Sequence, residues 1–219
     1  MGRVSVIYGH YGSGKTNFAT NLALLCAKSE KVTVVDLDIV NPYFRTADFS
    51  AMFKESGIEL CAPQYANTNL DIPALGMDIG RLIKGDNHVI IDVGGDDAGA
   101  TALGRYAKQF SDVSDIKVYY VINCYRYLTG TAQETVEILR DIEEAARLKA
   151  TAIVNNSNLG KDTTPQQVRD ALKYAQETSK LAGLPVAYTT ARVEIAAQLS
   201  DIDGLLPVDI YVKPLWEER

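Results

Sequence analysis

Gly9-His10-Tyr11-Gly12-Ser13-Gly14-Lys15-Thr16 matches G-x-x-x-x-G-K-[ST] at every fixed position. The apolar run Val4-Ser5-Val6-Ile7-Tyr8 precedes it, and a helix-like stretch, Asn17 to Lys28, follows. Strand, glycine loop and helix in that order are the context in which this motif holds phosphate. The glycines let successive backbone N–H groups turn inward and form a nest for phosphate oxygens. Lys15 adds a point charge for the β- and γ-phosphates, the Thr16 hydroxyl is the expected magnesium ligand, and the helix N-terminus adds partial positive charge. Gly9, His10, Tyr11, Gly12, Ser13, Gly14, Lys15, Thr16 and Asn17 are therefore the expected nucleotide contacts. The alternative, a Gly-rich turn with an accidental lysine, does not account for strand, loop and helix falling in register.

Outward from the loop, apolar runs alternate with helical patterns to the end of the chain. Strands are expected at Val4–Tyr8, Val32–Asp36, Glu59–Ala62, Val89–Asp92, Lys117–Asn123, Ala152–Asn155 and Val186–Thr189, with a closing strand at Val208–Val212. Several lack polar alternation, as parallel strands buried on both faces do. Asp71 with Pro73 marks one helix start, and another helix is expected after Ala100, through Phe110. Thr131 with Glu134 reads as a capping box for a helix to about Lys149. Thr164 before Pro165 starts one more, which Gly183 closes. This alternation predicts an α/β fold: one domain over 1–219, with a doubly wound, mostly parallel sheet and helices on both faces. Such sheets bind ligands beyond the carboxyl ends of their strands.

The chain has 219 residues, 47% hydrophobic and 23% charged, enough for one domain with a substantial core. Its formal net charge of -6 argues against a broad nucleic-acid surface. Cys26, Cys61 and Cys124 lie in or beside apolar runs without C-x-x-C spacing, as buried thiols in a reducing compartment do. No apolar run approaches the roughly 20 residues of a membrane span. The expectation is a cytoplasmic protein without a membrane role.

Two further strand ends carry carboxylates. Val34-Val35-Asp36-Leu37-Asp38 puts acids at i and i+2, which point the same way while the chain stays extended. One is expected to hold magnesium or its water shell, the other to orient an attacking water. Val89-Ile90-Ile91-Asp92 has the form of a Walker B strand, with Asp92 reaching the metal and Gly94-Gly95 allowing close approach to the γ-phosphate. Asp96 has two readings, a part in hydrolysis or switching and, shared with Asp97, a helix N-cap.

With these elements in view, nearly the whole chain resembles the ParA/MinD/nitrogenase-iron-protein superfamily of P-loop ATPases. The resemblance implies that Asp36 and Asp38 lie in switch I, with Asp38 assisting the attacking water, and that Asp92 opens switch II. It also places a purine-contacting asparagine at the end of Ala152-Ile153-Val154-Asn155-Asn156, with Asn156 preferred and Asn155 the alternative. An asparagine amide pairs with N6 and N7 of adenine, and no Asn-Lys-x-Asp guanine motif occurs, so ATP is expected. Two departures stand out. His10 occupies the position of the family's signature lysine, which reaches across a dimer to the partner's phosphates. The segment Asp92–Thr101 contains no cysteine for the nitrogenase-type cluster, so none is expected.

The resulting expectation is a magnesium-dependent ATPase with catalytic Lys15, Asp38 and Asp96, metal ligands Thr16, Asp36 and Asp92, and cofactors ATP and Mg2+. It would act as a switch on a protein partner, in cofactor or metallocentre maturation by family analogy, with a homodimer left open. The alternatives are an enzyme that phosphorylates or activates a small molecule, with Tyr43, Arg45, Tyr125 and Arg126 lining an acceptor pocket, and a nucleotide-binding regulator with negligible turnover.

Overall fold

The computed structural model describes residues 2–38, 49–61, 79–95 and 97–212. Eight strands, β1 (Val4–Tyr8), β2 (Val32–Leu37), β3 (Glu59–Cys61), β4 (His88–Val93), β5 (Ile116–Ile122), β6 (Ala152–Asn155), β7 (Val186–Arg192) and β8 (Leu205–Val208), form one sheet. Their order is β3-β2-β4-β1-β5-β6-β7-β8, and every pairing among the described residues is parallel. The chain winds to one side of β1 through β4 and to the other side from β5 onward. The loop after β1 therefore opens where the winding reverses, the usual ligand crevice of such sheets.

Successive side chains on a strand face opposite ways, and the core divides accordingly. Ile7, Val34, Ile90 and Val121 pack with Phe18, Ala19, Leu22 and Ala23 of α1 (Lys15–Cys26) and with Phe53 of α2 (Ser50–Glu55). Their strand neighbours Val6, Val35, Ile91 and Tyr120 pack on the other face. There they meet Ile83 of α3 (Ile79–Lys84), Leu103 of α4 (Asp97–Gly104), Phe110 of α5 (Ala107–Ser111), Leu139 of α6 (Ala132–Ala146) and Tyr174 of α7 (Pro165–Ala182). A short α8 (Val193–Ala196) follows β7. Helices thus cover both faces of the sheet.

The expected capping box of Thr131 with Glu134 forms; the helix expected to start at Thr164 does so, through a further capping box with Gln167, and Gly183 closes α7 at φ 69°. Helix α6 stops at Ala146, short of Lys149, because Arg147 turns left-handed at φ 50°. The helix expected after Ala100 starts earlier, with α4 at Asp97, and breaks after Gly104 into a separate α5 rather than running unbroken to Phe110. The closing strand lies earlier than Val208–Val212: Pro207, tolerated on an edge strand, sits inside β8. Asp209, Tyr211 and Val212 are hydrogen-bonded instead to Asn17 and Asn21 of α1. Ala62, Asp71 and Pro73 lie outside the described residues.

Candidate phosphate-binding site

Tyr8 ends β1 and Lys15 begins α1, so residues 9–14 form the loop. Gly14 occupies the helix N-cap at φ 89°, a left-handed conformation unfavourable to residues with a Cβ. Among the described residues no side chain caps α1, so its first-turn N–H groups face the loop concavity. Lys15, 7% exposed, donates from Nζ to the His10 carbonyl at 3.1 Å, which holds the ammonium against the loop. Ser13 Oγ is buried without a hydrogen-bond partner among the described residues. An unsatisfied buried hydroxyl costs about 1–3 kcal/mol, and a phosphate oxygen at the loop would satisfy it.

The carboxylates converge on this loop. Asp36 and Asp92 are direct partners in the β2–β4 register, and Asp92 also pairs with Ile7 of β1. Asp36 Oδ1 accepts from the Asp38 backbone N–H at 2.9 Å, which bends the chain at the end of β2. All three aspartates are buried. Gly94 and Gly95 bind the parts together through close approach. A Cβ on Gly94 would lie 3.1 Å from Asp38 Oδ1, and one on Gly95 would lie 2.7 Å from Lys15 Nζ and 2.9 Å from Tyr11 Cα. Asp38, Lys15 and the end of β4 are thus in mutual reach only because these positions lack side chains.

Magnesium characteristically takes one or two carboxylates together with substrate phosphates rather than an all-protein cage. The site fits that description. No group of three or more His, Cys, Asp or Glu among the described residues is placed to hold a metal alone; Asp36 and Asp92 are side by side in the β2–β4 register, and Thr16 is the second residue of α1.

The remaining expected contacts separate. Asn156 Nδ2 donates to the Ser13 carbonyl at 2.7 Å and Oδ1 accepts from Thr190 Oγ1 at 2.5 Å. A Cβ at Gly14 would collide with that Nδ2. Asn156 therefore braces the loop, committing one N–H and one lone pair of its buried amide to protein partners. Asn155 is buried, its Oδ1 accepting from Ser157 N at 3.3 Å. Asn17 Nδ2 donates to the Asp209 carbonyl at 3.0 Å and Oδ1 accepts from Tyr211 N at 2.8 Å. Asn21 makes a matching pair with Asp209. Two asparagines of α1 thus clasp the chain after β8, next to a small cavity lined by Asn17, Asn156, Asn158, Thr163, Thr190 and Arg192. Thr190 and Asn158 carry no motif and could be found only by knowing that β6 and β7 are neighbours.

His10 is partly buried, and that burial, with the Lys15 charge next in weight, lowers its pKa below the ordinary imidazole value. It is neutral at pH 7. Of the suggested acceptor-pocket residues, the Tyr125 hydroxyl donates to the Gln167 carbonyl at 2.9 Å, a packing role. Arg126 lies over the loop: a Cβ on Gly12 would be 3.6 Å from its Nε. Asp96, Tyr43 and Arg45 lie outside the described residues.

No protein-family profile matches the chain, and no curated protein matches it either. Solved structures do match. FtsY from Mycoplasma mycoides aligns at 15% identity and TM-score 0.57, over 85% of this chain and 59% of that one. Cell division protein FtsY from Thermotoga maritima aligns at 17% and 0.57, over 86% and 61%. The signal recognition particle 54 kDa protein from Aeropyrum pernix K1, solved in complex with GDP, aligns at 17% and 0.55, over 85% and 40%. The chain spans about 40–61% of the length of these neighbours. At such identities the likeness concerns the fold, and the ParA/MinD resemblance rests on the motif residues. Sheet order, loop geometry and neighbours agree that the chain has the α/β fold of P-loop nucleoside triphosphatases.

Proposed function

We propose that this chain is a magnesium-dependent ATPase of the ParA/MinD/nitrogenase-iron-protein type that acts as a nucleotide-controlled switch on a protein partner. The observation that carries the reading is the approach of Gly94 and Gly95 to Asp38 and Lys15. A bound γ-phosphate would have to act on the same backbone, so triphosphate and diphosphate would hold it differently. Tyr11, Tyr127 (87% exposed) and Leu128 present apolar surface, Tyr11 on the phosphate loop itself and the other two just past Arg126, a surface suited to a partner that senses the change. A role in cofactor or metallocentre maturation rests on the resemblance alone.

In the mechanism, Lys15 leaves the His10 carbonyl for the β/γ-phosphate oxygens and stabilises the transferring charge. Asp38, oriented through the Asp36 bond to its backbone, accepts a hydrogen bond from the water that attacks in line. Asp96 assists in hydrolysis or transmits the switch. Thr16, Asp36 and Asp92 would hold the magnesium ion, which neutralises charge on the phosphates. The neutral His10 does not reproduce a cross-subunit lysine, so a tight ATP-dependent sandwich dimer is not expected.

Adenine is favoured because asparagine amides, which suit N6 and N7 of adenine, stand at the end of β6 and the sequence carries no Asn-Lys-x-Asp guanine motif. The second reading is GTP, favoured by the GDP named with the Aeropyrum pernix neighbour. Phosphate release by the protein with Mg–ATP and no other substrate tests the activity, and its absence would overturn the ATPase reading. Competition between ATP and GTP tests the base, where a good base-edge pair predicts about tenfold preference for ATP.

A further inference from the structure

In the family this chain resembles a signature lysine brings a second cation to the loop; here that position is His10, whose pKa is lowered by burial and by Lys15, which leaves Lys15 as the loop's own charge. A guanidinium lies in reach from elsewhere in the same chain. A Cβ on Gly12 would lie 3.6 Å from Arg126 Cδ and Nε and 3.9 Å from Cζ. The arginine comes from the turn after β5, 114 positions along the chain from Gly12, and the turn is built to hold it. Asn123 Oδ1 accepts from Tyr125 N at 3.0 Å, and its Nδ2 donates to the Asn158 carbonyl at 3.2 Å. Thr129 Oγ1 donates to the Asn123 carbonyl at 2.8 Å, closing the turn, while Cys124 N donates to Ser157 Oγ at 3.1 Å. Leu128 within it takes φ 66°, a left-handed conformation that costs a leucine energy and persists where surrounding bonds over-determine it. Arg126 is exposed, and among the described residues no carboxylate pairs with it.

We propose that Arg126 is a phosphate-contacting catalytic residue supplied in cis, whose guanidinium engages the terminal phosphate of the bound triphosphate and takes the part of the missing loop lysine. The inference rests on the nucleotide reading above. Arginine suits the role because its planar fork matches phosphate oxygens, and a braced turn reduces the ordering needed on binding.

The test compares wild type, Arg126→Ala and Arg126→Lys by calorimetry with a non-hydrolysable ATP analogue and with ADP, both with magnesium, and by single-turnover ATP hydrolysis. Loss of a charge-assisted contact predicts that Arg126→Ala binds the triphosphate analogue about tenfold or more weakly while ADP affinity is retained. Its hydrolysis rate falls on the order of 100-fold or more, as for other arginines at a transferring phosphoryl group. Arg126→Lys recovers most of the binding and only part of the rate. Wild-type rate and wild-type discrimination between triphosphate and ADP in Arg126→Ala would overturn the inference and leave the ATPase reading standing. Equal losses for both nucleotides with a lowered melting temperature would assign Arg126 a structural role, which also overturns it. Failure of the wild type to bind either nucleotide would overturn the nucleotide reading, and the inference with it.

Discussion

Buried polar groups gather at both edges of the sheet, and the two gatherings differ in kind. At the amino-terminal edge His88 Nδ1 lies 3.1 Å from Glu30 Oε2 and its Nε2 lies 3.3 Å from Ser5 Oγ. The arrangement has the outline of a serine–histidine–carboxylate relay, with Cys26 Sγ 4.0 Å away as a second nucleophile. Yet Ser5 is fully buried, and burial pushes the Cys26 thiol up to about 11, so neither offers a reactive atom to a substrate. At the carboxyl-terminal edge the groups are equally buried, but glycines strip the walls and Ser13 Oγ lacks a partner among the described residues. Satisfied polar atoms without access make a core; an unsatisfied hydroxyl beside a lysine and bare backbone makes a site.

The largest expected effect breaks one edge and spares the other. Lys15→Ala should lose ATP hydrolysis by three orders of magnitude or more, about 10³, since it removes the cation at the transferring phosphate. Its melting temperature should stay within about 4 °C, the shift that ~1 kcal/mol produces in a chain of this size. Calorimetry showing unchanged ATP affinity, with unchanged turnover, would remove the phosphate loop from the account.

Asp38→Asn sharpens the same edge. A residue that only positions the attacking water should, when neutralised, lower turnover on the order of 10²–10⁴-fold while nucleotide binding persists. Parental turnover in this variant would exclude that role for Asp38.

The amino-terminal edge responds in stability instead. His88→Ala leaves Ser5 Oγ without its histidine partner and opens a cavity, so unfolding free energy should fall by about 2–3 kcal/mol in a urea titration. ATP affinity should not change. A variant that keeps its stability but loses nucleotide binding would reverse the contrast between the edges.

The smallest expected effect is a flat line. Burial and the neighbouring Lys15 charge lower the His10 pKa, so its charged form is disfavoured in the fold. The linkage sign is that of a depressed group: the unfolded chain binds more protons, and this residue's contribution is lost as pH falls from about 6.5 toward the lower folded value. Between about pH 6.5 and 8, which lies above the unperturbed value, His10 stays neutral and its contribution to triphosphate affinity should not vary. A rise in affinity toward pH 6.5 that His10→Ala abolishes would mean that the phosphates recharge the imidazole.

Much of the carboxyl-terminal edge was legible in the chain because its parts are local. Strand, glycine loop and helix lie within residues 4–26, Asp36 and Asp38 close one strand, and Asp92 closes another. Each signal is a backbone pattern or a residue at a strand end, and the parallel order places all these ends on one edge. The capping box at Thr131 and the helix start at Thr164 were equally readable, since each signal spans only a few positions. The closing strand was misplaced because an edge strand that contains Pro207 carries a weak pattern, while the apolar residues after it are held by the side chains of Asn17 and Asn21.

The sequence by itself determined the strand–glycine loop–helix unit, the doubly wound sheet and the edge at which the proposed site lies. Only the tertiary structure decided what the polar side chains do there. Asn156 hydrogen-bonds Ser13 across 143 positions, Asn17 reaches Asp209 across 192, and Arg126 arrives over Gly12 from the turn after β5. A short backbone motif writes its own geometry through local dihedrals and hydrogen bonds. A side chain's partner depends on which distant strands become neighbours, and that is settled by burial of the two core faces, not by the residues beside it in the chain.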